Sequence, residues 1–400
     1  MLLINILTLH CFVNVIIYFA KAGEKMKPLK QKKMYNVEVV RFVFSLIIVY
    51  YHILHASIMN YTGGAHIYET LSANNKLGSL INVAFFMLSG YFLYQSYKAK
   101  PQRSVKEFAY YKVARLWPVL FFSFVIGVIF FNYGTYTSFF NSLFLQCIGI
   151  SFDYQGITWF VSPMFWVLIF YFVLLKTFKD HKKLNVFIGV IVYFSFVYNL
   201  NATNGGFGRE TVGGFINLGL LTALSCIGLG YLIGVCVDSF LSLDSVKNFQ
   251  PSKLQSAVIT LIISVLEAAS FGFIVYFTAF SNKTYKNKFT FVIVFSLLLL
   301  CMISGKGILS RICNNKFLGG LGKYSYSIYI MQQISFYILQ RTLWQNTDYV
   351  QHHAYRCLAI SVAFSVLVGI VVYYVIEKPC AVAFKKFGKK LFAVKRTAEN

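Results

Sequence analysis

Of the 400 residues, 58% are hydrophobic and only 12% are charged, whereas a soluble domain keeps roughly 25% charged residues to cover its surface. That balance excludes an ordinary water-soluble globular protein. The net charge of +24 invites a nucleic-acid reading, but the charges are parcelled between apolar runs in a way that fits a membrane instead.

Residues 1–20 are apolar and are followed by Lys21, Lys25, Lys27, Lys30, Lys32 and Lys33. A secretory signal carries its charges before the apolar run and a small-residue cleavage site after it. Two readings therefore stand: an uncleaved extra helix, or translation starting at Met26 or Met34. Runs long enough to cross a hydrocarbon core of about 30 Å then follow at 37–57, 77–97, 110–131, 158–176, 185–200, 215–237, 255–280, 289–304, 322–340 and 357–377. An unpaired backbone group in lipid costs several kcal/mol, so such runs must be helices or a closed barrel, and the alternation a barrel needs is missing. The expectation is an all-α polytopic membrane helix bundle of about ten transmembrane helices, with one more at the N-terminus on the first reading. Residues 1–36 form an N-terminal apolar segment and basic stretch, 37–380 one transmembrane domain, and 381–400 a basic tail whose amphipathic pattern suits the inner leaflet.

Lys and Arg crowd the segments 21–36, 98–115, 176–183, 247–253, 306–323 and 378–396. The opposite links hold only Lys76, Arg209, Lys283, Lys286, Lys288, Arg341 and Arg356. This positive-inside asymmetry places both ends of the core in the cytoplasm, in the inner (plasma) membrane. The basic excess sets topology and attracts anionic lipid headgroups; membrane lipid is an expected partner and nucleic acid is not. The eight cysteines are scattered without a CxxC pair or a His–Cys cluster, so they read as free thiols, and no metal site is expected.

Ionisable groups inside a span are costly and mark functional candidates. The first span, NVEVVRFVFSLIIVYYHILH, carries Glu38, Arg41, His52 and His55. At 100° per residue the eleven steps from Arg41 to His52 return to within about 20° of the same face, about 16 Å further along. Glu38, three residues before Arg41, is placed to pair with it. Arg41 snorkelling to headgroups and His52 making one structural hydrogen bond is the plainer alternative. The richer reading is acyl transfer: imidazole is the side chain whose unperturbed titration suits a base near neutral pH. A guanidinium at the cytoplasmic mouth suits a multiply phosphorylated donor. On that reading both groups look into one protected cavity.

With these residues the sequence resembles the membrane acyltransferase-3 family. Its hallmark is an acidic residue three before an Arg and a His eleven after it, here Glu38, Arg41 and His52. NVAFFMLSGYFL (82–93) is similar to the family's Phe-Phe-x-Leu-Ser-Gly segment, and FAYYKVARLWPVL (108–120) to the basic stretch ending in Arg-x-x-Pro. ITWFVSPMFWVLIFYF (157–172) resembles the Trp-bearing middle helix, and LGKYSYSIYI (321–330) and IEKP (376–379) the last two helices. The resemblance covers about 36–380. It implies transfer of an acyl group, commonly acetyl, from cytosolic acyl-CoA such as acetyl-CoA to a surface or lipid-linked polysaccharide, with acyl-CoA and the sugar acceptor as partners. Carried over, His52 is the catalytic base or transient acyl carrier, Arg41 positions it or the donor, and Lys112 with Arg115 holds the CoA phosphates. Lys112 departs from the family's Arg, keeping the charge without the bidentate fork. Gln332 stands where the family often has His, so no catalytic role falls to it.

Other signals are weaker. Glu267, mid-span, either orients His52, lines an acceptor path or makes a structural hydrogen bond. Gly319–Lys323 (GGLGK) lacks the Ser or Thr of a phosphate loop, having Tyr324 instead, and reads as the start of a helix. Gly230 and Gly234 suit close helix packing. The loop 203–214 is a path for an acceptor or a plain link, and His352 and His353 lack neighbouring ligands. Two rival functions remain in view: a transporter or flippase of a lipid-linked glycan, and a non-catalytic sensor.

Overall fold

Asp180, Asn217 and Ser252 set where three of the long helices begin. Asp180 accepts from the Lys182 amide at 2.9 Å and Asn217 from the Leu220 amide at 3.2 Å. Ser252 and Gln255 exchange side-chain and backbone hydrogen bonds reciprocally. Each cap satisfies amides that a first helical turn leaves without partners. A computed structural model describes residues 34–57, 71, 77–131, 139–140, 142–146, 158–203, 207, 211–212, 216–280 and 288–398. The expectations for residues 1–33, and for most of the links 58–76, 132–157, 203–214 and 283–288, fall outside them.

The long helices are α1 (Tyr35–His52), α2 (Ile81–Ala99), α3 (Val105–Phe131), α4 (Val161–Thr177), α5 (His181–Ala202), α6 (Leu218–Ser242), α7 (Lys253–Ala279), α8 (Lys288–Ser304), α9 (Ser325–Gln340), α10 (Ala354–Val372) and α11 (Lys378–Ala398). All ten expected spans coincide with helices, and the all-α polytopic bundle stands. Seven helical runs are long and apolar enough to cross a membrane, so the count of about ten is not confirmed: α2, α8 and α9 do not meet both criteria. One small departure from helix is a two-residue antiparallel pair, β1 (Thr211–Val212) with β2 (Ile216–Asn217).

Helix α6 is the central post, with α2, α4 and α5 packed around it. A Cβ at Gly230 would collide with the Met87 carbonyl, and one at Gly90 with the Ile227 carbonyl. Glycines on both sides thus bring α2 and α6 together backbone to backbone, the close packing that Gly230 and Gly234 suggest. The same pair of helices is tied by the Lys98–Asp238 ion pair, with the Tyr94 hydroxyl donating to Asp238 at 2.6 Å. Away from this post, α7 exposes Leu254, Leu261, Ile262 and Val265, as a lipid-facing helix should. Helix α1 threads between α7, α9 and α10 and the short helices Ile308–Cys313 and Lys316–Gly320.

Glu267 serves this packing. Its carboxylate accepts from the Ser310 amide at 3.0 Å and from the Ser310 hydroxyl, while Asn36 donates to that hydroxyl at 2.9 Å and to the Met302 carbonyl at 2.8 Å. Of the roles open to it, the structural hydrogen bond is the one observed. The GGLGK segment also has a packing role, since Gly319 abuts Tyr35 and Gly322 abuts Glu38 with no room for a side chain.

Candidate functional site

The first turns of α1 put Glu38 and Arg41 on one side, and the guanidinium Nη1 meets both carboxylate oxygens at 3.0 Å. Both side chains are mostly buried. The glycine at 322 is what allows the turn Leu321–Tyr324 to lie directly on Glu38. α3 carries Arg115 about one turn and Lys112 about two turns before Pro118, and the Tyr326 hydroxyl on α9 donates to the Leu116 carbonyl at 2.6 Å, fixing α9 against this part of α3.

Glu38, Arg41, Lys112 and Arg115 line one cavity of about 460 Å³, completed by residues of α2, the turn leading into α4, and α9 such as Phe85, Phe160, Ser325, Tyr326 and Tyr329. Lys112 lies within electrostatic reach of Arg115, Arg103 and Arg41, and its ammonium also rests 5.2 Å from the Phe108 ring centroid. Against these charges the only acid among the described lining residues is Glu38, committed to Arg41. A second carboxylate, Glu377, is buried nearby, accepts from the Ser327 hydroxyl and lies within reach of Arg115 and Arg41. Ser325 adds a buried hydroxyl with no hydrogen-bond partner. Clustered cations and an unsatisfied donor around a cavity are costly unless an anion compensates them.

His52 lies elsewhere. It closes α1, where the chain widens into a π-helical turn at Ile53–Ser57, an irregularity frequent at functional sites. It is not among the described residues lining the cation-rich cavity, so the structure does not show guanidinium and imidazole sharing that cavity. The eleven-residue separation amounts to about 16 Å of rise; within it Phe44 of α1 meets the cavity-lining ring of Phe85 edge-on at 6.4 Å, Phe85 lies 6.1 Å from Phe160, and Phe160 5.6 Å from Tyr329.

What holds the imidazole is Gln332, the residue to which the sequence assigned no role. The Gln332 amide nitrogen donates to the Tyr329 carbonyl at 2.8 Å, so its oxygen faces the ring, 3.1 Å from His52 Nδ1. An amide oxygen only accepts, so Nδ1 carries a proton, and in the neutral form of the ring Nε2 is then the acceptor nitrogen. That is the tautomer a general base requires. Tyr329 thereby joins the two regions: its side chain lines the cavity and its carbonyl anchors the residue that orients His52.

The structure brings Glu38, Arg41, Lys112 and Arg115 to one cavity; the sequence reading gave Gln332 no catalytic role and did not single out Ser325 or Glu377. Ser325 belongs to LGKYSYSIYI and Glu377 to IEKP, both singled out as motifs, and Gln332 lies two residues beyond the first, so the signal was the motif without the individual contacts. A family model described as an acyltransferase domain matches residues 34–375, and the chain belongs to this membrane acyltransferase family. Neither curated proteins nor solved structures gave a significant match. With its apolar helices, the chain is a multi-pass membrane acyltransferase.

Proposed function

We propose that this membrane acyltransferase takes an acyl group, acetyl in the first instance, from cytosolic acyl-CoA and passes it to a sugar hydroxyl of a surface or lipid-linked polysaccharide. The observation that carries the reading is the convergence of Arg41, Lys112 and Arg115 on one cavity whose single acid among the described lining residues is already paired. A phosphorylated donor supplies the missing negative charge, and the positive-inside asymmetry sets this end in the cytosol, with the protein in the inner membrane and both ends of its core cytoplasmic.

The chemistry follows from the tautomer of His52. The acceptor hydroxyl gives its proton to Nε2 as its oxygen attacks the thioester carbonyl; the carbon–sulfur bond then breaks, and the thiolate leaves as CoA and takes up a proton. Gln332, accepting from Nδ1–H, steadies the ring as it becomes imidazolium. Arg41, held by Glu38, and Lys112 with Arg115 fix the donor, whose thioester arm runs along α1 past Phe85 and Phe160 toward the ring.

The test couples two readouts on the full-length protein: release of free CoA, and NMR of surface glycans from a deletion strain complemented with wild type or His52→Ala. Wild type is expected to release CoA and restore O-acetyl signals, and the variant neither. O-acetyl signals restored equally by both would refute the catalytic assignment. Movement of intact glycan with no acyl donor consumed would favour the transporter reading.

A further inference from the structure

Beyond the cavity already described, a larger cleft of about 910 Å³ opens between α3, the turn at Lys323 and the C-terminal helix α11. Arg115 lines both spaces, so its guanidinium is their common wall. The lining from α11 is Lys378, Ala381, Val382, Lys385, Gly388, Lys389, Phe392 and Ala393, which recur at helical spacing and make one continuous face. This face turns toward the protein. The Tyr110 hydroxyl on α3 donates to the Phe384 carbonyl at 2.8 Å, and the ring of Tyr110 packs on those of Phe384 and Phe392. Gly388 sits where a Cβ would crowd Tyr110 and Tyr111. The helix is therefore docked on α3 by specific contacts, beyond what lying on a bilayer requires.

The chemistry of the cleft is that of a phosphate and base site. Lys100, Arg103, Lys385 and Lys389 ring it, in addition to Arg115 and Lys323. Of its two acids, Glu377 accepts from Ser327 and Glu107 lies 3.6 Å from the Arg103 guanidinium. That contact is made by the Arg103 Nε, which is buried and pairs with the Glu107 carboxylate without reaching hydrogen-bond distance. Flat surface is present as well: the rings of Tyr111 and Phe392 lie 6.4 Å apart, and Arg103 stands 5.5 Å over Tyr111. Positive charge beside aromatic faces recognises a phosphorylated nucleotide.

We propose that the cleft between α3 and α11 binds the phosphorylated nucleotide end of the acyl donor, with Arg115 marking the passage through which the thioester arm enters the inner cavity. The proposal rests on the acyl-CoA reading above and adds to it a donor-binding element, α11, that lies outside the family-matched residues 34–375. The tail then has a binding task of its own besides contact with the inner leaflet.

The test is calorimetry on the full-length protein in nanodiscs of neutral phosphatidylcholine. Acetyl-CoA and adenosine 3′,5′-bisphosphate, which carries the phosphorylated nucleoside without the thioester, are titrated into wild type, the double variant Lys385→Glu/Lys389→Glu and the control Lys253→Glu. Lys253 is exposed and lies outside the cleft. Both ligands should bind wild type and the control alike, and bind the double variant about tenfold more weakly or worse, as loss of charge-assisted contacts implies. A double variant that binds the nucleotide as wild type does overturns the proposal. So does loss of nucleotide binding by wild type in discs containing phosphatidylglycerol, which would mark a lipid-headgroup site. Wild type that transfers acyl groups from acetyl-CoA without binding the nucleotide sinks the cleft alone; wild type that neither binds acetyl-CoA nor releases CoA sinks the donor reading and the cleft with it.

Discussion

Replacing Gln332 by Met tests whether the imidazole is held for chemistry. Gln332 is fully buried, and Met matches it closely in length and flexibility while removing both of its hydrogen bonds. The carbonyl of Tyr329 lies inside α9 and keeps its helical partner, so the fold loses little. His52 loses the acceptor that fixes its Nδ1 proton, a hydrogen bond of about 0.5–1.5 kcal/mol, which corresponds to a two- to thirteenfold fall in kcat by transition-state arithmetic. Removing the base altogether in His52→Ala should cost about 10²–10⁴-fold. Gln332→Glu, whose carboxylate accepts the same proton, should lie closer to wild type than Gln332→Met does. The assay is initial-rate CoA release with saturating acceptor, with KM for the donor and the melting temperature in detergent recorded in parallel. A Gln332→Met enzyme with wild-type kcat refutes the positioning argument. If kcat loss follows the melting temperature in both Gln332 variants, the residue is merely structural.

Three further outcomes follow from the same geometry. Arg41→Met should raise KM for acyl-CoA about tenfold or more, since one charge-assisted contact is worth about 1.5–3 kcal/mol, while Arg41→Lys, which keeps the charge but loses the fork, should fall between; steady-state kinetics of the two variants decide it. Gly230→Ala forces a Cβ against the Met87 carbonyl and should cost about 1–3 kcal/mol, read as a lowered melting temperature in detergent. Phe85→Ala opens the aromatic layer at the cavity and should raise CoA release without acceptor severalfold relative to transfer, as expected if the layer excludes water; an unchanged ratio removes that role from the layer.

The fold was legible because lipid imposes a coarse rule on sequence: long apolar runs separated by sided charge can only be helices. The ten spans read from the chain coincide with helices, yet hydropathy alone does not carry α2, α8 and α9, where polar or short segments rely on neighbours instead. Lys98 in α2 is stabilised by Asp238 on α6, a pairing across 140 residues that no local window reveals. At the site, Glu38 with Arg41 was readable because a three-residue step on a helix fixes their proximity. His52 with Gln332 was not, because that contact joins α1 to α9 across 280 residues. Glu267 shows the converse: its chemistry attracts a catalytic reading, and only the Ser310 and Asn36 contacts assign it to packing.

Helical periodicity puts Arg41 and His52 on one stripe of α1, but a shared stripe fixes only azimuth, and depth separates them by three turns. The separation agrees with the demands of the proposed reaction. A phosphorylated donor, as proposed, needs positive charge, which the cavity of Arg41, Lys112 and Arg115 supplies, whereas a neutral imidazole base works best away from cations that oppose its protonation. Placing Arg41, Lys112 and Arg115 beside His52 would weaken the base by the same field that binds the donor. On the proposed reading, the thioester arm is the part of the donor long and uncharged enough to pass the rings of Phe44, Phe85 and Phe160 and join the two sites. On this view the link through Tyr329 and Gln332 carries more than support: a donor displacing Tyr329 in the cavity would be felt at the imidazole through one side chain.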